Sequence, residues 1–543
     1  MSTDQSGIRL TVDGNDVTVG DVSGTLLDLL RDQLRITEVK DGCSPQGQCG
    51  CCTVLVDGQP RVACVTPVRR VSGRTVITAA GLEPGRQRRW QEAFLACGAS
   101  QCGFCTPGIV TRLDALERSG KADGPGEHEK VDQALLAHLC RCTGWQTIHE
   151  AWDVFRGGTP VTLSPSSSAG CLARADETPP SPAERRATIE GGTPQRVGPD
   201  VILGHGRFAV DEAPADALVA VGDGAGGWVV GENLRHAREL AGKVQGRRTT
   251  VGHDWPIEVP AGEWDATLRT TWVEPAYLET DASWCAPGGE PYSPVANGGA
   301  FGAKLRSPVA GVARALADEH GRTVLVLASR EDATRLGAKR PPMAGGAMAD
   351  GTGELVVATT PGIAEAVAAV APGLQVTEID TPGPPTSAAI RAAGWAEAVA
   401  LLTAAGARPI DEPIVGAAGG RATAEVVTDD HGDPVIRVGV ACGHPLDEVV
   451  LRSYAIGAAH MAWSWVAGEA LSVDADGMVH DLTVRSFGVT RAVDTPRIEV
   501  AIEPGDGPAV NGSDAVFVAV TAASWRWLGG GQDWPLGSPT SRS

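Results

Sequence analysis

Hydrophobic and polar positions alternate through residues 8–19 on either side of Asp13-Gly14-Asn15, which predicts a β-hairpin at the start of the chain. Over 25–34 the leucines recur at helical spacing, and Ser23 offers that helix an N-cap. Alternation returns over 53–64 around Asp57-Gly58, a second hairpin. From 88 to 155 the pattern becomes helical, with segments near 88–97, 108–118, 129–139 and 146–155 and cysteines at their ends. Residues 157–198 break both periods. Pro160, Pro165, Pro179, Pro180, Pro182, Pro194 and a run of serines at 166–168 predict a flexible linker that buries no core. Beyond it, strand-like runs at 324–327, 355–359, 435–440 and 498–502 alternate with Ala-rich helical runs at 309–319, 388–405 and 454–466, so an α+β or α/β body is expected. A length of 543 residues fits roughly three to five folded units.

Charge and composition narrow the function classes. Lys and Arg number 46 against 66 Asp and Glu, a formal net charge of −20 that repels nucleic acid and anionic membrane surfaces. The start has neither a basic nor an apolar signal region, and the longest apolar stretches, 366–371 and 515–520, fall far short of the ~20 residues of a membrane span. A soluble cytoplasmic protein is expected. In a reducing compartment cysteines stay thiols unless a metal takes them, and ten of the 13 lie between Cys43 and Cys142.

Eight of these ten form two constellations. In the first, Cys43, Cys49, Cys52 and Cys64 are spaced x5, x2 and x11 inside a loop rich in glycine, one residue longer than the plant-type [2Fe-2S] spacing. Gly42, Gly47 and Gly50 suit a loop whose backbone N–H groups turn toward sulfur. Cys51 leaves an ambiguity of register, since it could replace Cys49 or Cys52; the x2 spacing favours Cys49 and Cys52. In the second, Cys102-x2-Cys105 and Cys140-x-Cys142 bring two pairs to helix ends, where four thiolates can close round one centre. Structural zinc is the alternative for a Cys-x2-Cys pair, but Cys-x-Cys suits a zinc knuckle poorly. Cys97, Cys171, Cys285 and Cys442 are scattered singles.

The strings around the second set, Gln101-Cys-Gly-Phe-Cys-Thr-Pro-Gly108 and Leu139-Cys-Arg-Cys-Thr-Gly144, resemble those of the iron–sulfur subunit of the molybdenum hydroxylases, the xanthine oxidase family. The resemblance implies an α+β multidomain chain carrying two [2Fe-2S] clusters. A ferredoxin-like β-grasp domain (1–84) would hold one on Cys43, Cys49, Cys52 and Cys64. A four-helix domain (85–157) would hold the other on Cys102, Cys105, Cys140 and Cys142, with Gln101 touching molybdopterin. After a linker (158–197), a hammerhead-like α/β domain (198–290) and a truncated molybdopterin-binding-like domain (291–543) are implied. Glu274-Pro-Ala-Tyr-Leu-Glu279 and the loop 297–304, with Gly299, Phe301 and Gly302, resemble family strings in the family's order. The resemblance implies that Arg391 matches a family arginine near the substrate; the alternative is an exposed helix arginine.

The departures from the family pattern limit that implication. The family's large subunit is much longer, and where it carries a glutamate that acts as general base this chain has Ser513, with Asp514 adjacent. A serine without a partner cannot do a carboxylate's work at neutral pH, so Asp514 is the candidate catalytic residue, the alternative being an Asx-turn residue on the surface. The expected function is a molybdenum hydroxylase-type oxidoreductase, electrons passing from molybdopterin through the two clusters. The alternative is an electron-transfer or scaffold subunit whose degenerate molybdopterin half assembles with a full-length molybdopterin chain. No Gly-x-Gly-x-x-Gly follows a predicted strand, so a separate flavoprotein or other acceptor is the expected partner.

Overall fold

The computed structural model describes the chain apart from residues 1–6, 44–45, 161–180, 191, 243–251, 294–298, 481 and 538–543. The first hairpin pairs Ile8–Val12 with Asn15–Val19, and its two-residue turn has both residues at positive φ, 48° at Asp13 and 81° at Gly14. These values match the right-handed strand twist. The hairpin joins a five-stranded sheet in the order Asn15–Val19, Ile8–Val12, Thr75–Ile77, Thr53–Val56, Gln59–Val62, in which Ile8–Val12 and Thr75–Ile77 run parallel. Leu26, Leu27, Leu29 and Leu30 are buried against it. Each contributes about 1.5–3 kcal/mol as an upper figure.

The helix over these leucines is capped by Thr25, not Ser23. Thr25 Oγ1 accepts from Asp28 N while Thr25 N donates to the Asp28 carboxylate at 2.8 Å, a reciprocal box three residues apart. Ser23 instead turns back to Asp21. Only one α-turn, Leu26–Asp28, forms before the backbone widens into a π-turn, Leu29–Gln33.

Four helices follow, Pro84–Cys97, Thr106–Arg118, Glu127–Leu135 and Gln146–Phe155, close to the expected segments. Trp90 anchors them, stacking on Phe155 with centroids 3.7 Å apart and donating from Nε1 to Asp114 at 3.0 Å. The segment expected to be a structureless linker contains a helix, Pro182–Glu190. Ala187 is buried and the Arg186 guanidinium lies 5.7 Å over the Tyr454 ring, so enough of its surface is covered to order it.

Three four-stranded sheets build the rest, and two of them cross the boundary expected at 290/291. Val324–Leu327 runs parallel to Leu218–Gly222 on one side and antiparallel to Ala282–Cys285 on the other. Ala266–Arg269 pairs with Met343–Ala347 in the next sheet. The chain winds back between the two segments, so 198–290 and 291–543 are not separate bodies. The third sheet, Ile414–Val415, Arg421–Thr428, Pro434–Ala441 and Arg497–Ile502, packs with helices Trp395–Ala404, Glu448–Ala467 and Ser513–Trp527 around the largest core. The helical run expected over 388–405 begins only at Trp395. Arg340 takes the carbonyls of Ile390, Arg391 and Ala392, holding Arg391 and Ala392 at φ 42° and 52°.

Candidate functional site

Within the first constellation Cys43 touches Cys49 and Cys64, and these thiols drive its pKa well below the ordinary value. Cys64 also meets Cys52, and Cys49 meets Cys51. Backbone N–H groups of Gln48 and Cys49 donate to Cys43 Sγ, and that of Cys64 to Cys52 Sγ, all at 3.4 Å. Gly42 serves by lacking a side chain and not by a positive φ: a Cβ there would lie 3.1 Å from Cys49 Sγ and 3.3 Å from Cys51 Sγ. In the second constellation Cys142 and Cys102 have their sulfurs 3.5 Å apart. Cys105 contacts Cys140 and, with Thr143, lowers its pKa to about 6. Every one of these thiols is buried except Cys102, which is partly so.

Each group thus gathers four soft, ionisable sulfurs out of water, a donor set that fits a [2Fe-2S] cluster and also zinc. The sulfurs touch one another, and among the described residues no three metal-binding side chains converge on one metal-sized point. Cys51 is buried beside Cys49, its Sγ 3.8 Å from Cys49 O.

The two groups lie back to back. The helix Thr106–Arg118 starts against the first loop so closely that a Cβ on Gly108 would sit 2.4 Å from the Gly50 carbonyl and 2.8 Å from that of Cys51. Leu139 N donates to Cys49 O at 3.0 Å, so backbone bonds join the loops directly.

Behind the second group opens a cavity of about 630 Å³, within the range of ligand pockets. Of the residues singled out in the sequence, Gln101, Cys102, Cys142, Gly299, Phe301, Gly302, Arg391, Ser513 and Asp514 all line it. Asn297 and Gly298 lie outside the described residues. Gln101 Nε2 donates to Cys142 O at 2.9 Å and to Ser453 Oγ at 3.0 Å. Gly299 brings the loop onto the thiols, since a Cβ there would be 3.2 Å from Cys142 Sγ and 3.3 Å from Cys102 Sγ. Gly302, at φ +95°, lies where a Cβ would meet Ala389 O at 1.9 Å. Arg391 is not an exposed helix arginine. Its guanidinium stands 4.5 Å over the Phe301 ring and 3.4 Å from Asp514 Oδ1, burial lowers its pKa, and its Nε is buried with no hydrogen-bond partner among the described residues. Asp514 sits in the first turn of the helix Ser513–Trp527 with its side chain half exposed. The Asx turn there is made by Asn511, whose Oδ1 accepts from Ser513 N at 2.9 Å.

Several contributors carried no role in the sequence reading. Arg141, between two of the thiol positions, forms a buried bidentate pair with Glu469, both contacts 2.6 Å. Arg330 donates to Gly42 O at 3.0 Å and Gln46 Nε2 to Glu331 at 2.8 Å, fastening the first loop to the C-terminal half. Lys304 pairs with Glu279 at 2.8 Å, both buried. Lys304 and Glu279 fall inside strings the sequence had marked, but spacing alone did not pair them.

Comparison with known proteins decides between iron and zinc. A [2Fe-2S] binding domain family matches residues 78–153. The chain is 42% identical over 127 residues to the nicotinate dehydrogenase small FeS subunit of Eubacterium barkeri, covering 23% of this chain and 78% of that one. This chain belongs to the molybdenum hydroxylase family. A second member of the family, the nicotine 6-hydroxylase small subunit of Paenarthrobacter nicotinovorans, is 40% identical over 151 residues, 27% of this chain and 88% of that subunit. The aldehyde oxidoreductase of Desulfovibrio desulfuricans superposes with a TM-score of 0.69 at 13% identity, covering 98% of this chain and 99% of that one, so the two share a fold. Two [2Fe-2S] clusters and an oxidoreductase class go with that membership. No helix among the described residues is long and apolar enough to cross a membrane.

Proposed function

We propose that this chain oxidises a small molecule at a molybdopterin held in the 630 Å³ cavity and passes the electrons through the thiols of Cys102, Cys105, Cys140 and Cys142 to those of Cys43, Cys49, Cys52 and Cys64. The observation that carries this reading is that Cys102 and Cys142 form part of the cavity wall while the first group packs directly behind them. The pterin would be held by Gln101, the loop through Gly299, Phe301 and Gly302, and Arg391, with the start of the helix Ser513–Trp527 favouring an anionic group. When bound it would supply the metal that takes oxygen from water and two electrons from substrate. Asp514, the exposed carboxylate at the cavity edge, is the proposed proton acceptor. The onward acceptor is proposed to be a separate flavoprotein or similar carrier.

Ser513 favours a second reading, an electron-transfer subunit serving a separate catalytic chain, because no carboxylate stands at that position. Metal analysis of the purified chain separates the two: stoichiometric molybdenum supports the first reading and its absence the second. Both readings expect about four iron and four labile sulfides per chain. Stoichiometric zinc without sulfide would exclude both. Cys51→Ser is expected to leave both clusters intact and Cys52→Ser to remove the first, read as iron content and visible absorption. The reverse result would shift the ligand register.

A further inference from the structure

Oxidising a C–H bond with water breaks that bond and one O–H bond, forms a C–O bond, and releases two electrons and two protons. The clusters take the electrons and Asp514, at the exposed edge of the cavity, takes one proton, which leaves the second proton for another group of the lining. Lys304 lines the large cavity. Its partner Glu279 lines a different one, of about 100 Å³, together with Arg31, Asp32, Arg35, Asp41 and Thr280. Asp32 and Arg35 are exposed, so this second cavity reaches solvent. The 2.8 Å contact between Lys304 Nζ and Glu279 Oε2 is thus a polar junction between the two cavities.

We propose that the Lys304–Glu279 pair is the exit for this second proton, a conclusion that rests on the hydroxylase reading given above. In each passage Lys304 gives a proton to Glu279, the resulting neutral amine takes a proton from the large cavity, and the Glu279 carboxyl releases its proton to water in the small cavity. Charge and protons balance, and the pair returns to its starting state. Burial raises the Glu279 pKa to about 7 against the pull of Lys304, so both of its protonation states are populated near neutrality. Charged or ionisable groups near Glu279 include Asp281, Asp211 and Cys102, and Asp211 is itself held by Arg31 and Lys40. Tyr277, which donates to Asp281 at 2.7 Å, lies beneath Lys304 with its ring centre 5.3 Å from Nζ.

The test uses the full iron-loaded chain. Infrared difference spectra between pH 5 and 9 are expected to show a protonated carboxyl band that fades as pH rises through about 7 and is missing from Glu279→Gln. The double variant Glu279→Gln with Lys304→Met repeats the comparison without a lone buried lysine, should the single variant fold poorly. On molybdenum-loaded Glu279→Gln, release of the second proton to a dye is expected to slow by at least about tenfold relative to first-turnover bleaching of the clusters, with Glu279→Asp recovering part of it. A carboxyl band that does not titrate, or proton release at the wild-type rate, would overturn the proposal. Failure of the hydroxylase reading is recognised separately, by molybdenum content, and the titration then decides alone whether the pair exchanges protons.

Discussion

Glu469→Ala is expected to lower stability by about 3–5 kcal/mol, far more than an ordinary surface change, because it strands the Arg141 guanidinium in the interior. Arg141 and Glu469 are 7% and 1% exposed and share two contacts of 2.6 Å, and Arg141 Nε also donates to Pro275 O at 3.1 Å. Arg141 lies between Cys140 and Cys142, so its release loosens the second cluster first. Visible absorption followed through a denaturant series should fall at a lower midpoint, and isolated protein should carry about two iron per chain in place of four. Replacing both partners, Arg141→Met with Glu469→Leu, should recover much of the midpoint, since no uncompensated charge remains. Removing Arg437, whose pairs with Glu425 and Glu499 are half exposed, should leave the midpoint where it was. An unchanged midpoint in Glu469→Ala would mean that the pair does not hold this region together.

Asp514→Asn is expected to reduce turnover about 10²–10⁴-fold with iron, sulfide and pterin content unchanged, the usual weight of general-base assistance. The substitution keeps size and hydrogen bonding while abolishing the proton-accepting charge. Its loss should therefore appear in kcat at saturating substrate, and iron–sulfur bleaching by dithionite should be untouched. A fall of less than about tenfold would remove Asp514 from the role. Ser513→Glu, which restores the family's residue in the same helical turn, should then raise turnover in the parent chain.

What was legible in the sequence follows contact range. Both hairpins, the four helices and the thiol groups are encoded within short windows, as turn residues, leucine spacing and cysteine spacing. Gln101 and the loop at Gly299 were legible through their strings, and they meet at one cavity wall. Ser23 lost its cap to Thr25 because a reciprocal pair with Asp28 satisfies two backbone groups at once. The helix Pro182–Glu190 was hidden because its order comes from Tyr454, far along the chain. The sheet crossing at 290/291 was illegible for the same reason: nothing local in Val324–Leu327 names Leu218–Gly222 and Ala282–Cys285 as its neighbours. Buried charge pairs are the extreme case, since each half alone reads as a surface residue.

That crossing strand also limits how the protein can be divided. Val324–Leu327 is a central strand bonded on both sides, so a fragment ending at 290 would leave Leu218–Gly222 and Ala282–Cys285 as two bare edges with nothing between them. Such a fragment should be recovered from expression as aggregate. Recombination within a lineage, whether natural or in the laboratory, would have to exchange 198–543 whole, and the workable seams for shuffling substrate preference lie in surface loops and not at the apparent border between its two parts.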